Sequence, residues 1–321
     1  MIRKDKQHIF IYIFAPRQTI YDFVFTIKIP IISYLMQVDN TLRLGAGKQK
    51  SEIMLAQKMS DDLALCGISC TISYYESHDP SKNIQEVLYD AIRDNEIDTA
   101  AFDLSHLPLY DIHKDIVVTA ISDRMNPGEG LLISSAAYDP SLELKIKPGS
   151  RVMVSDVRQG GQLLSMLPMI SLIYNTKNTE EQLFTLKNGQ CDVLLMSKNA
   201  YEALIDDDSD ITFLKLHPKE MIPRPGQGFT AYVAHREDLT TRRLLKNLHH
   251  SESVQISNTE RKVLQMANPE HVDKIGVYCS TDQRGYFHVD AVRSEPFNKI
   301  SFSQSISAGL PEKIYEALFT K

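Results

Sequence analysis

Residues 150–205 read SRVMVSDVRQGGQLLSMLPMISLIYNTKNTEEQLFTLKNGQCDVLLMSKNAYEALI, and their alternation sets the fold class. SRVMVSD (150–156) is an apolar, β-branched run that predicts a strand, and the segment from Gly160 to Leu167 predicts a helix. SLIYN is a second strand, TEEQLFTLKNG a helix ended by Gly189, CDVLLMS a buried strand and NAYEALI another helix. Strands that alternate with helices favour a mostly parallel sheet. Each parallel connection must cross over the sheet, and a helix makes that crossing while burying its apolar face.

The same rhythm occurs upstream. TLRLGA (41–46) predicts a strand, GKQKS a polar turn, and SEIMLAQKMSDDLALCG an amphipathic helix with apolar residues at 53, 55, 56, 59, 63 and 65. CTISYYES is a strand, NIQEVLYDAIRDNE a helix with Ile84, Val87, Leu88 and Ile92 on one face, and DTAAFDL a short buried strand. Two similar α/β halves around a cleft are therefore expected, and such clefts, beyond the carboxyl ends of strands, are where ligands sit. Around Arg242 a third region begins: a charged helix, strands IGVYCS and GYFHVDAV, and a final helix, PEKIYEALF. That order predicts a small α+β domain.

Composition narrows the function classes. The 321 residues are 43% hydrophobic and 24% charged, which excludes a disordered or collagen-like chain. A net charge of −6 and a pI near 5.9 argue against nucleic acid as partner, because that affinity needs clustered Lys and Arg. Four dispersed cysteines (Cys66, Cys70, Cys191, Cys279), with no CxxC pair, read as small buried apolar residues of a reducing compartment. The N-terminal runs IFIYIF and FVFTIKIPIISYLM are interrupted by Pro16, Arg17, Asp22, Lys28 and Pro30, short of the ~18–20 apolar residues of a membrane helix. The apolar core after Lys6 is too short for a signal peptide, and no A-x-A site follows it. Residues 1–35 thus read as an appendage, Met36 as the natural start of the domain, and the location as cytoplasmic with no membrane partner. RLGAGKQKS lacks the spacing of a phosphate loop. His249-His250 and the acidic run Asp206–Asp208 read as solvated surface, and no metal site is expected.

Several segments, in one order, resemble the porphobilinogen deaminase (hydroxymethylbilane synthase) family. They are RLGAGKQKSEIMLAQ, IDTAAFDLSHLPL with Pro108, ISDRMNPGEGLLIS, SRVMVSDVRQGGQL, LKNGQCDVLLMS, IPRPGQG (222–228) and HSESVQISNTER (250–261). The resemblance, from about Leu42 to Arg293, implies two periplasmic-binding-protein-like α/β domains around a cleft, a small α+β C-terminal domain and a monomer. It also implies the boundaries: 36–122 with 222–243 for the first domain, 123–221 for the second and 244–321 for the third. It implies tetrapyrrole biosynthesis, in which the family condenses four porphobilinogen units on a dipyrromethane cofactor bonded to a cysteine of the third domain.

At the residues that would carry this chemistry the sequence departs. Counting without a gap from Glu260-Arg261 puts His271 at the attachment position, and an imidazole cannot form that thioether. Cys279 lies eight residues further on, inside a predicted strand. At the position of the family's catalytic carboxylate stands His106, preceded by Ser105; Asp103 is a weak substitute, on the other strand face if alternation holds. Of the arginines that bind the pyrroles' carboxylates, Arg158 alone is placed. Gln159 stands at its partner position, Thr176 and Gln182 replace the helix-start arginines, Ala203 another, and Lys48 or Gln49 stands near Ser51, which fits the family's serine. The resemblance also implies that His106 and His271 face the cleft, where two imidazoles are able to ligate a haem or a metal. The expectation is a divergent member with no attached dipyrromethane and no deaminase activity, binding a tetrapyrrole-like or other small anionic ligand. An active, rewired synthase and a pure scaffold are the alternatives.

Overall fold

A computed structural model of the protein describes residues 41–79, 81–110, 113–176, 178–204 and 210–320. The appendage, the Met36 start and the Asp206–Asp208 run lie outside the described residues. The chain first forms β1 (Thr41–Gly47), α1 (Lys50–Leu65), β2 (Ser69–Tyr75), α2 (Ile84–Arg93), β3 (Thr99–Asp103) and β4 (Ile116–Ile121). It then crosses to β5 (Glu129–Ser134), β6 (Arg151–Val154), α3 (Val157–Met166), β7 (Ser171–Tyr174), α4 (Thr179–Lys187), β8 (Val193–Ser197), α5 (Lys198–Leu204) and β9 (Ile211–Lys215). It returns to β10 (Thr230–His235) and α6 (Leu239–Leu245), and ends with α7 (Ser251–Met266), β11 (Ile275–Thr281), β12 (Phe287–Ser294), β13 (Phe297–Gln304) and α8 (Leu310–Phe319).

Three sheets result, in the orders β2-β1-β3-β10-β4, β7-β6-β8-β5-β9 and β11-β12-β13. The α/β class with a small third sheet is as the sequence implies. The mostly parallel pairing is not. β1 and β3 pair in parallel, as do β6 with β7 and β8, but β10 runs antiparallel to both β3 and β4, and β5 antiparallel to both β8 and β9. The reason is long-range. Each sheet takes in strands that flank a crossing between sheets, and these enter against the direction of their neighbours. The C-terminal sheet also gains a strand, β13, which the strand–strand–helix reading passed over.

Local signals fix the helices. Asn83 accepts from the Glu86 amide at 2.9 Å while the Glu86 carboxylate accepts from the Asn83 amide, a reciprocal cap for α2. Asp156 caps α3 through the Gln159 amide at 2.8 Å, so that helix starts before Gly160, and Asn178 caps α4 through the Glu181 amide. The first sheet and the third domain share one core, in which Tyr89, Phe102 and Phe229 pack with Val263, Val277 and Leu310.

The two crossings are pinned to the third domain by one carboxylate. Glu260, on α7 and fully buried, accepts from Arg124 at 2.7 Å, from the Gly226 amide at 2.8 Å and from the Cys279 amide at 2.7 Å. Burial pushes its carboxyl up, against the pull of the Arg124 guanidinium and the two amides. Arg124 also donates to the Gln227 and Cys279 carbonyls and lies over the Phe229 and Tyr278 rings. Next in sequence to Glu260, Arg261 donates to the carbonyls of Leu104, Leu107 and Pro108 and so holds the loop after β3.

Candidate functional site: the cleft between the first two sheets

A cavity of about 150 Å³ lies between the first and second sheets, lined from one side by Asp103, Ser105 and His106, and from the other by Ser155, Arg158, Gln182 and Ser197 among others. It sits at the carboxyl ends of β3, β6 and β8, and the α4 N-terminus contributes Thr179. From the returning crossing come Arg224 and Gln227. The sequence-predicted residues Ser105, His106, Arg158, Gln159 and Gln182 are thus brought to one cavity.

Asp103 requires a correction. It is the last residue of β3, in register with Thr230, and caps the short 3₁₀ turn Leu104–His106; His106 lies on that turn, so strand alternation no longer relates the two residues. It lines the same cavity as His106. One of its oxygens, Oδ1, accepts from the Ser105 hydroxyl at 2.6 Å and the Ser105 amide at 2.9 Å.

Arg158 is in the cleft wall, but its charge is spent. Its guanidinium donates to Glu129 at 2.7 Å, to Asp156 at 3.3 Å and to the Ile222 carbonyl at 2.7 Å, and its side chain is 2% exposed. Burial works to lower its pKa, but the flanking carboxylates outweigh that effect and push it up. The two glutamines that the resemblance sets at arginine positions are also engaged locally. Gln159 donates to Glu129 and accepts from the Ser155 amide, and Gln182 donates to the Ser155 hydroxyl and the Asn175 carbonyl. Arg224 was missed by sequence reasoning. It makes a long polar contact to Asp156 at 3.5 Å, and its side chain is 36% exposed. The signal in the sequence was its position between Pro223 and Pro225 in the IPRPGQG turn.

Four expected site residues lie elsewhere. Lys48 pairs with Glu76 at 3.0 Å and lines a separate pocket with Tyr74 and His78. Gln49 precedes α1, where the Glu52 carboxylate accepts from its amide, and Ser51 is half-buried in the first turn of that helix. His271 does not line the cavity. Its ring lies 5.4 Å from that of Phe319 on α8 and its Nε2 is 3.4 Å from Glu270, so the pair of cleft-facing imidazoles does not form. Thr176 and Ala203 are also absent from the cavity wall.

No cysteine is among the lining residues. Cys279 is buried in β11, where burial pushes its thiol far up, and Cys191, pushed up to about 11, lies in the second sheet's core. Among the described residues no cluster of His, Cys, Asp and Glu is arranged to hold a metal, and no helix is long and apolar enough to cross a membrane.

A family profile described as porphobilinogen deaminase, dipyromethane cofactor binding domain, matches residues 81–243. The porphobilinogen deaminase of Staphylococcus carnosus (strain TM300) is 25% identical over 233 residues, covering 73% of this chain and 72% of that protein. That of Thermus thermophilus is 26% identical over 231 residues, covering 72% of this chain and 73% of that protein. Among solved structures, the periplasmic VFT2 domain of Bordetella pertussis BvgS aligns with 71% of this chain and 95% of that one, at 14% identity and a TM-score of 0.42.

Proposed function

The chain belongs to the porphobilinogen deaminase family, and from that membership we propose that it keeps the family's frame for a different role, the binding of a small polar ligand in the cleft without condensing porphobilinogen. The observation that carries the reading is the state of the group that would hold the family's cofactor. The dipyrromethane of the family does not fit the residues present, because a thioether needs an accessible thiolate. His271 stands at the attachment position and packs on Phe319, while the nearest cysteine in sequence, Cys279, is a buried thiol with a strongly raised pKa.

Charge supports the same reading. The cavity is lined by three carboxylates (Asp103, Glu129, Asp156) and two guanidiniums (Arg158, Arg224), with Arg158 enclosed by Glu129 and Asp156. A growing oligopyrrole is a string of carboxylates and would meet a wall without cationic excess. Size is in keeping with this: the enclosed part of the cleft, about 150 Å³, is below the roughly 300–1,000 Å³ typical of pockets that bury larger ligands.

One observation favours the rewired synthase as the second reading: Asp103 lines the cavity and offers the acid that His106 lacks. The two readings separate in a turnover assay. Incubation with porphobilinogen, followed by oxidation and absorbance of any uroporphyrin, is expected to give no product above a protein-free control. Product that appears with the native chain and vanishes with Asp103→Asn would overturn the binding reading and make Asp103 the catalytic acid.

A further inference from the structure

We infer that the cleft takes one small zwitterion of free α-amino-acid size, its carboxylate on Arg224 and its ammonium on Asp103. This rests on the reading that the cleft binds a ligand without condensing porphobilinogen, and it names the ligand's chemical class.

The assignment follows from which lining groups remain available. Glu129 is bonded by both Arg158 and Gln159, Gln182 donates to the Ser155 hydroxyl and the Asn175 carbonyl, and Asp156 is held by Arg158 and the α3 cap. Gln227 donates its amide to the Pro127 carbonyl. The charged groups left with capacity are two. Asp103 has no ion-pair partner among the described residues, and the two hydrogen bonds from Ser105 both fall on Oδ1, leaving Oδ2 for a ligand cation. Arg224 makes its long contact to Asp156 with one nitrogen, Nη2, leaving the rest of its fork for a ligand carboxylate.

Both are pre-positioned. Arg224 lies between Pro223 and Pro225, whose rings fix φ on either side of it, and the Pro223 carbonyl accepts from the Val277 amide at 3.2 Å. Asp103 is fixed by its own cap, and Arg261 holds the carbonyls of the turn behind it. Thr179 and Ser197 add hydroxyls to the same wall. One anion without an ion-pair partner among the described residues, and one guanidinium held only by a 3.5 Å contact to Asp156, match a molecule that carries one charge of each sign and do not match a polyanion.

The test is titration calorimetry on the full chain with a panel of free L-amino acids. Each is compared with its N-acetyl derivative, which removes the ammonium, and its amide, which removes the carboxylate; benzenehexacarboxylate serves as the polyanion probe. At least one amino acid is expected to bind one to one. Either derivative, and either Arg224→Gln or Asp103→Asn, is expected to weaken binding by about tenfold or more. Arg224→Lys, which keeps the charge without the fork, is expected to retain part of the affinity. Absence of binding across the panel, unchanged affinity in both neutral variants whose melting matches the parent, or tighter binding of the hexacarboxylate would each overturn the inference. A covalent pyrrole adduct would defeat the underlying binding reading whatever the titration shows. An unmodified protein that binds no amino acid defeats the zwitterion alone.

Discussion

Arg158 carries the same guanidinium wherever it stands, yet its charge reaches a ligand only where its neighbours leave it free. Here Glu129, from a strand 29 residues earlier, takes that charge, and the Ile222 carbonyl takes a further hydrogen bond from 64 residues later. The sequence made the position of Arg158 legible, and those of Gln159 and Gln182, because the surrounding strand and helix signals are local. It did not make their availability legible, since the partners come from other strands. Asp103 was hidden for the opposite reason: strand alternation was carried on to His106, past Leu104 where the 3₁₀ turn begins. His271 could be read as chemically unfit for a thioether, but its place against Phe319 depends on the distant helix α8. Glu260 joins three distant segments, those of Arg124, Gly226 and Cys279. Replacing it with alanine leaves Arg124 uncompensated and two buried amides without an acceptor. Glu260→Ala is therefore expected to lose about 3–5 kcal/mol in urea denaturation, and a loss below about 1 kcal/mol would show that the crossings do not depend on it.

Among the helices and strands, capping and periodicity located the helices well. α2 and α4 fall within the stretches read from the sequence, α1 begins one residue before its stretch, at Lys50, and the start of α3 differed because Asp156 caps it ahead of Gly160. Pairing direction was not legible. β10 enters the first sheet beside β3 and β4, and its register with β3 joins residues such as Thr230 and Asp103 that no local pattern relates. The α3–β12 junction depends on a side chain that is absent. A Cβ at Gly161 would stand 2.5 Å from the Ser294 Cβ and 3.0 Å from the Ser294 carbonyl oxygen. Alanine adds up to about 1 kcal/mol of helix propensity, but a backbone carbonyl cannot yield as a side-chain tip does, and overpacking costs about 1–3 kcal/mol. Gly161→Ala is expected to lower the melting temperature; a rise would mean that the junction relaxes freely.

Across the molecule, the third domain shares a core with the first sheet and, through Glu260, holds both crossings that lead to the second. The frame is that of the porphobilinogen deaminase family, and the cleft within it is lined by three carboxylates and two guanidiniums. The proposed loss of the covalent chemistry has a direct readout in the intact mass of the purified protein, taken before and after incubation with porphobilinogen. The mass of the unmodified polypeptide is expected in both samples. A gain matching dipyrromethane, or a ladder of added pyrrole units, would show instead that the chain still builds and holds the oligopyrrole.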